Sequence, residues 1–218
     1  MRGQRGEDSA ATSFAASANA RRGVPPGQRP SENWPVTHYG PVPRRKLEDW
    51  DIRVSGATAS GSEHVLKLDV LDELPHRTVY ADLHCVSGFS VLDLTWEGIP
   101  SSALLEVAPP RTDVSHVMVY AEYGYSANLT LADFAAATTL LATHVGGKPL
   151  PRERGGPIRL VVPHLYAWKG PKWLRAIEYL TEDRRGFWEE RGYHNVADPW
   201  AEGRYTHQEN HGDGPPIF

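Results

Sequence analysis

The chain holds one cysteine, Cys85, in 218 residues. A solitary sulfur forms neither an internal disulfide nor a four-cysteine zinc site, so its chemistry is that of a single soft ligand or a nucleophile. It stands where a strand pattern breaks into a polar turn, Thr78-Val79-Tyr80-Ala81-Asp82-Leu83-His84-Cys85-Val86-Ser87-Gly88. Alternation predicts Val79, Ala81, Leu83 and Cys85 on one strand face, with the thiol on the buried side at the strand's end. An inert core cysteine fits that placement too. A nucleophilic role would need a histidine such as His38, His164 or His194, and no nucleophile-elbow pattern accompanies the cysteine. A zinc site would need several of the ten histidines; His207 and His211 have helical spacing but lie in a Gly/Pro-rich tail. The densest basic stretch is Lys169-Gly170-Pro171-Lys172 with Arg175. It reads either as a solvated loop or as an anion pocket in which Gly170 lets the backbone approach the ligand. Arg159 lies inside the apolar run 157–163, where an unpaired charge is costly and calls for an anionic partner.

The elements that must position these residues are short. Residues 1–30 are rich in Ala, Ser, Gly, Arg and Pro with few large apolar side chains, and are expected to be a disordered leader. Order is expected from Trp34, along the proline-punctuated path 34–43. Residues 50–54, 90–94 and 114–120 read as strands, and 157–163 as a buried strand bracketed by prolines. Helices are expected after Asp69 as N-cap, closed by Pro75; over 101–107; and after Thr130, where Asp133 completes a capping-box-like start. Gly146-Gly147 marks a turn. The prediction is a mixed α+β, strand-rich single domain over 31–206, with an irregular tail at 207–218.

Composition narrows the function classes. Hydrophobic residues are 40% and charged residues 23%, as in soluble globular proteins, while 18 prolines, 20 glycines and seven tryptophans favour short strands and structured loops. A net charge of −4 supplies no overall basic field for nucleic acid. No apolar run has the length of a membrane span, and the start lacks a secretory core; Arg21-Arg22 is followed by Gly23-Val24-Pro25-Pro26 rather than an apolar stretch. A cytoplasmic location is expected.

Several segments, in order across 34–205, resemble the oxomolybdenum domain of the sulfite oxidase family, including the small prokaryotic proteins that carry this domain alone. They are Pro41-Val42-Pro43, His84-Cys85-Val86 followed by Trp96-Glu97-Gly98, Tyr125-Ser126-Ala127-Asn128-Leu129, Gly147-Lys148-Pro149-Leu150-Pro151, Gly156-Pro157-Ile158-Arg159-Leu160-Val161-Val162-Pro163 and Trp168-Lys169-Gly170-Pro171-Lys172-Trp173-Leu174. The ending, Gly186-Phe187-Trp188-Glu189 through Asp198-Pro199-Trp200, is similar to the small cytosolic branch. The resemblance implies that Cys85 is a thiolate ligand of molybdenum held by a molybdopterin. Thiolate and dithiolene are polarisable donors suited to a metal that cycles by two electrons. It implies further that His38, Tyr39, Arg159, Gly170, Pro171 and Lys172 contact the cofactor. Arg154 stands where relatives often have His or Asn, keeping donors and adding charge. Tyr125 matches a tyrosine placed near the metal's oxygen, where a phenol can donate a hydrogen bond.

Two departures bear on substrate. Sulfite oxidases have an arginine where this chain has Thr37, and no Lys or Arg lies between Cys85 and Trp96. A dianion would require converging arginines, so the expected substrate is a small neutral or weakly charged molecule rather than sulfite. The chain has no haem-attachment motif and no cysteine set for an iron–sulfur cluster, so a separate electron-transfer partner is expected; it is too short for the extra dimerisation domain of full sulfite oxidases, so a monomer is expected. The alternatives are a cofactor-free relative acting as a binding module, and a cysteine hydrolase using Cys85.

Overall fold

The computed structural model describes residues 16–17 and 23–210. Among them, two sheets enclose the main core. The first runs in the order Ala16–Ser17, Arg77–Tyr80, Thr95–Pro100, Leu140–Val145, Lys148–Pro149, and Arg159–Val161 also pairs with Leu140–Val145. The second runs Ser126–Thr130, His116–Ala121, Leu174–Leu180, Asp51–Gly56, His64–Lys67. Period-two alternation shows in the second sheet, where Ile52 and Val54 are buried and Arg53 is exposed. Their faces meet Ile99, Leu141 and Leu160 of the first sheet, with Leu104 and Phe134 from the short helices Ser101–Val107 and Leu131–Ala135. Each fully buried aliphatic there contributes about 1.5–3 kcal/mol.

The first sheet is covered on its other face as well, by a cluster containing Val79, Ala81, Trp96, Leu140 and Val161. All three residues of Arg159–Val161 are therefore buried, Leu160 toward one cluster and Val161 toward the other. This explains the continuous apolar run around Arg159 in the sequence. The expected α+β, strand-rich architecture is the one observed.

Several local expectations are corrected. The cysteine segment is not one strand. Arg77–Tyr80 ends before Ala81, where Asp82 Oδ1 accepts from Asp93 N at 2.8 Å, and Leu83–His84 then pairs with Phe89–Val91 in a separate small sheet. Strand 90–94 is shorter than expected because Asp93 adopts φ 56°, which takes the chain out of extended conformation. Asp69 is not an N-cap: the strand His64–Lys67 runs directly into the helix Leu68–Asp72, and Asp69 occupies its first turn. Thr130 does cap its helix, accepting from Asp133 N at 3.0 Å. Order also begins before Trp34. Arg29–Pro30 pairs in parallel with Phe89–Val91, and Gln28 is buried. Most of the remaining leader, and residues 211–218 of the expected tail, lie outside the described residues.

Candidate active site

The hairpin Leu83–His84 to Phe89–Val91 presents Cys85 at the first position of its turn, where Cys85 N donates to Phe89 O at 2.9 Å and Cys85 O accepts from Gly88 N at 3.0 Å. Gly88, at φ 93°, supplies the left-handed conformation that this turn requires. The half-buried cysteine lines a cavity of about 310 Å³, in the size range of small-molecule sites. His38, Tyr39, Tyr125, Arg159, Gly170, Pro171 and Lys172 line the same cavity. Thus eight of the nine residues singled out in the sequence converge; Arg154 stands behind the wall, its guanidinium 4.0 Å over the ring of Trp34, which lines the cavity.

The basic stretch divides into two groups. Lys169 is buried in an ion pair with Glu189 at 2.6 Å and donates to Asn128, so it does not serve the cavity. Arg175 pairs with Asp51 and lies 3.7 Å from Glu122. By contrast, among the described residues Arg159 donates only to the carbonyls of Leu160, Arg154 and Gly170, and Lys172 only to those of Thr37 and Glu153. Arg154 donates to Trp34 O, and its buried Nη1 has no hydrogen-bond partner among the described residues. None of these three cations has a carboxylate within ion-pairing distance among the described residues. Burial, chiefly, pushes the Arg159 guanidinium down to about 10, and burial with the nearby Arg159 and Arg154 charges pushes Lys172 down to about 7. One buried and two half-buried cations that repel one another and are served by carbonyls fit an anionic guest such as a pterin phosphate.

Gly170, which lines the cavity, also has a packing role. A Cβ there would stand 2.5 Å from Leu160 O, so its missing side chain serves strand packing. Its carbonyl accepts from Arg159 Nη2 at 3.1 Å and helps aim that side chain. Tyr125 donates its hydroxyl proton to Trp168 O, and burial raises its pKa well above the usual phenol value. His38 Nδ1 is 2.8 Å from Gly40 O, and Tyr39 packs on Phe187 at 4.5 Å.

Two of the three candidate bases for a cysteine hydrolase are engaged elsewhere, His164 with Asp133 at 2.9 Å and His194 with the amides of Val196 and Ala197, while His38 shares the cavity with its Nδ1 at Gly40 O. The Cys85 sulfur instead faces Ser87 Oγ at 3.0 Å. Among the described residues no three His, Cys, Asp or Glu side chains cluster as a metal site; His211 of the zinc reading lies outside them. Sequence reasoning missed the aromatic wall of Trp34, Trp173, Trp188 and Tyr193, although the abundance of tryptophan was its signal. It also missed Gln28, which no pattern marks.

The fold and this cavity define a class, and comparison with known proteins agrees: the chain belongs to the oxidoreductase molybdopterin-binding domain family, whose profile matches residues 39–188. It is a molybdopterin-dependent oxidoreductase of the sulfite oxidase type. Among curated proteins it is 40% identical over 186 residues to the uncharacterized oxidoreductase YuiH of Bacillus subtilis strain 168, covering 84% of this chain and 92% of YuiH. It is 26% identical over 156 residues to YedZ1 of Azospira oryzae, proposed to be a protein-methionine-sulfoxide reductase subunit, covering 72% of this chain and 59% of that protein. Among solved structures the sulfane dehydrogenase SoxCD of Paracoccus pantotrophus superposes with a TM-score of 0.63 at 17% identity, over 79% of this chain and 47% of that one. That likeness concerns the fold.

Proposed function

We propose that Cys85 is the protein's thiolate ligand to the molybdenum of its cofactor, and that the enzyme transfers an oxygen atom, with two electrons, to or from a neutral or weakly charged substrate such as an organic sulfoxide, an N-oxide or a carbon-based compound. The observation that carries this reading is the meeting, in one cavity, of the chain's sole thiol with buried Arg159 and half-buried Lys172, neither of which has a carboxylate partner among the described residues. Arg159 and Lys172 bind the cofactor's anionic end, Arg154 adds positive charge from behind the Trp34 ring, and His38, Tyr39, Gly170 and Pro171 shape the cleft. When bound, the cofactor supplies a metal that changes by two electrons as oxygen is exchanged.

Tyr125 stays protonated across neutral pH, because burial disfavours its phenolate, and its one proton goes to the Trp168 carbonyl. Its oxygen keeps acceptor capacity, so the side chain orients a bound group rather than delivering a proton. Trp168, Trp188, Tyr193 and Phe89 exclude water around the sulfur. Val86 and Ser87 replace the charged side chains that would grip a dianion, and Thr37 lines the cavity where sulfite oxidases carry arginine. YedZ1's sulfoxide reductase name favours the same substrate class. Electrons reach or leave the site through a separate redox protein, and the enzyme is a cytoplasmic monomer.

Steady-state assays on purified, molybdenum-loaded protein test the preference. Reduction of methionine sulfoxide or trimethylamine N-oxide by a reduced dye is expected to exceed sulfite oxidation in kcat/KM by roughly 100-fold, the discrimination available when a site lacks partners for one substrate's charges. Efficient sulfite turnover would refute it.

A further inference from the structure

The family match covers residues 39–188, yet the cysteine turn is held from outside that stretch on both sides. Gln28 is only 7% exposed, and its carboxamide is fully engaged with the hairpin. Gln28 Nε2 donates to Cys85 O at 3.1 Å and lies 3.5 Å from Tyr166 Oη; Ser90 Oγ donates to Gln28 Oε1 at 3.2 Å. Since the Ser90 proton points to Gln28, the contact at 2.8 Å between His84 Nδ1 and Ser90 Oγ requires His84 to carry its proton on Nδ1. Both lone pairs of the Cys85 carbonyl are thereby occupied, by Gly88 N and by Gln28 Nε2. The backbone repeats the attachment: Arg29 N donates to Gly88 O at 2.9 Å, and Ser31 N to Ser90 O at 2.8 Å.

From the other end of the chain, Arg204 donates to Val86 O at 2.6 Å and to Pro26 O at 3.3 Å, with its guanidinium 5.1 Å from the Tyr166 ring. One planar fork thus ties the residue after the cysteine to the segment that carries Gln28. The apolar cluster beneath, Tyr166, Trp168 and Ala197 with Val86 packed against it, supports the same turn.

We infer that Gln28 and Arg204 are positioning residues that clamp the Cys85 turn, so that the flanking segments of this chain fix where the metal-binding sulfur sits. The inference rests on the cofactor-site reading for its purpose, but the clamp itself is a property of the protein without cofactor. The mechanism is local: a turn whose carbonyls are held from two sides opens less often, and a thiol on it is attacked less often by a bulky reagent.

The test uses the chain's single cysteine in cofactor-free full-length protein. The rate at which Cys85 reacts with an aromatic disulfide reagent is compared for wild type, Gln28→Ala, Gln28→Glu and Arg204→Lys, alongside melting temperature. Loss of one buried hydrogen bond is expected to raise the reaction rate by roughly five-fold in Gln28→Ala. Gln28→Glu should fail to restore it, because a carboxylate accepts from Ser90 but cannot donate to Cys85 O. Arg204→Lys, which cannot span two carbonyls, should show a similar rise with little change in melting. If Gln28→Ala does not fold, Arg204→Lys decides alone. Wild-type thiol rates in the folded variants overturn the clamp. Because this readout needs no metal, a failed sulfoxide assay leaves it intact, and a failed clamp leaves the cofactor reading intact.

Discussion

At the scale of single residues, the site is organised by which charges are answered inside the protein and which are not. Lys169 and Arg175 meet acids, while Arg154, Arg159 and Lys172 meet carbonyls. Lys172 gives a signature of this in the cofactor-free protein. Its folded pKa, about 7, lies below its ordinary 10.5, so between those values the unfolded chain binds more protons than the folded one. Stability therefore rises with pH through that window, and the cost of the buried charge is fully present below it. Lys172→Met removes the charge, so the variant should melt higher than wild type near pH 6, with the advantage shrinking toward about pH 9. Melting curves across the range check this, and a pH-independent offset contradicts it. Cys85, Arg159 and Lys172 were legible in the sequence because a lone thiol and charges among apolar residues are conspicuous. The division of the basic stretch was not, since Asp51, Glu122 and Glu189 come near only through the fold.

At the scale of elements, short strands and turns do the positioning. The buried strand Arg159–Val161 was legible from its proline-bracketed apolar run, and Ser101–Val107 formed where its pattern placed it. The break at Ala81-Asp82 was not, because hydrophobic alternation continues through it while the Asp82 carboxylate turns the chain. Behind the cavity wall, Glu189 accepts from Trp168 Nε1 at 3.0 Å, and Trp168 in turn holds Tyr125 through its carbonyl. The pair Lys169–Glu189, with side chains 1% and 0% exposed, therefore anchors the segment Ala167–Lys169 that carries this wall. Lys169→Met leaves the buried Glu189 carboxylate without its counter-charge and should cost about 3–5 kcal/mol in urea unfolding. Adding Glu189→Gln should recover most of that loss. Equal stability of the single and double variants would show that the pair is not coupled.

At the scale of the whole molecule, two packed sheets form the support and the site lies where loops from many parts of the chain meet. The α+β class was legible from proline, glycine and short alternating runs, and the family from motifs spread along the chain. The outer boundary was not. Residues 23–30 look too polar to order themselves, yet Gln28 is fixed by hydrogen bonds to a hairpin it meets only in three dimensions. No helix among the described residues is long and apolar enough to cross a membrane. The central claim is a bond between one sulfur and one metal, and X-ray absorption at the molybdenum edge reads it directly. Wild-type protein should hold roughly one molybdenum per chain in a sulfur-rich shell, and folded Cys85→Ser should either lose the metal or show that shell poorer by one sulfur. An unchanged sulfur shell in the variant would contradict the account.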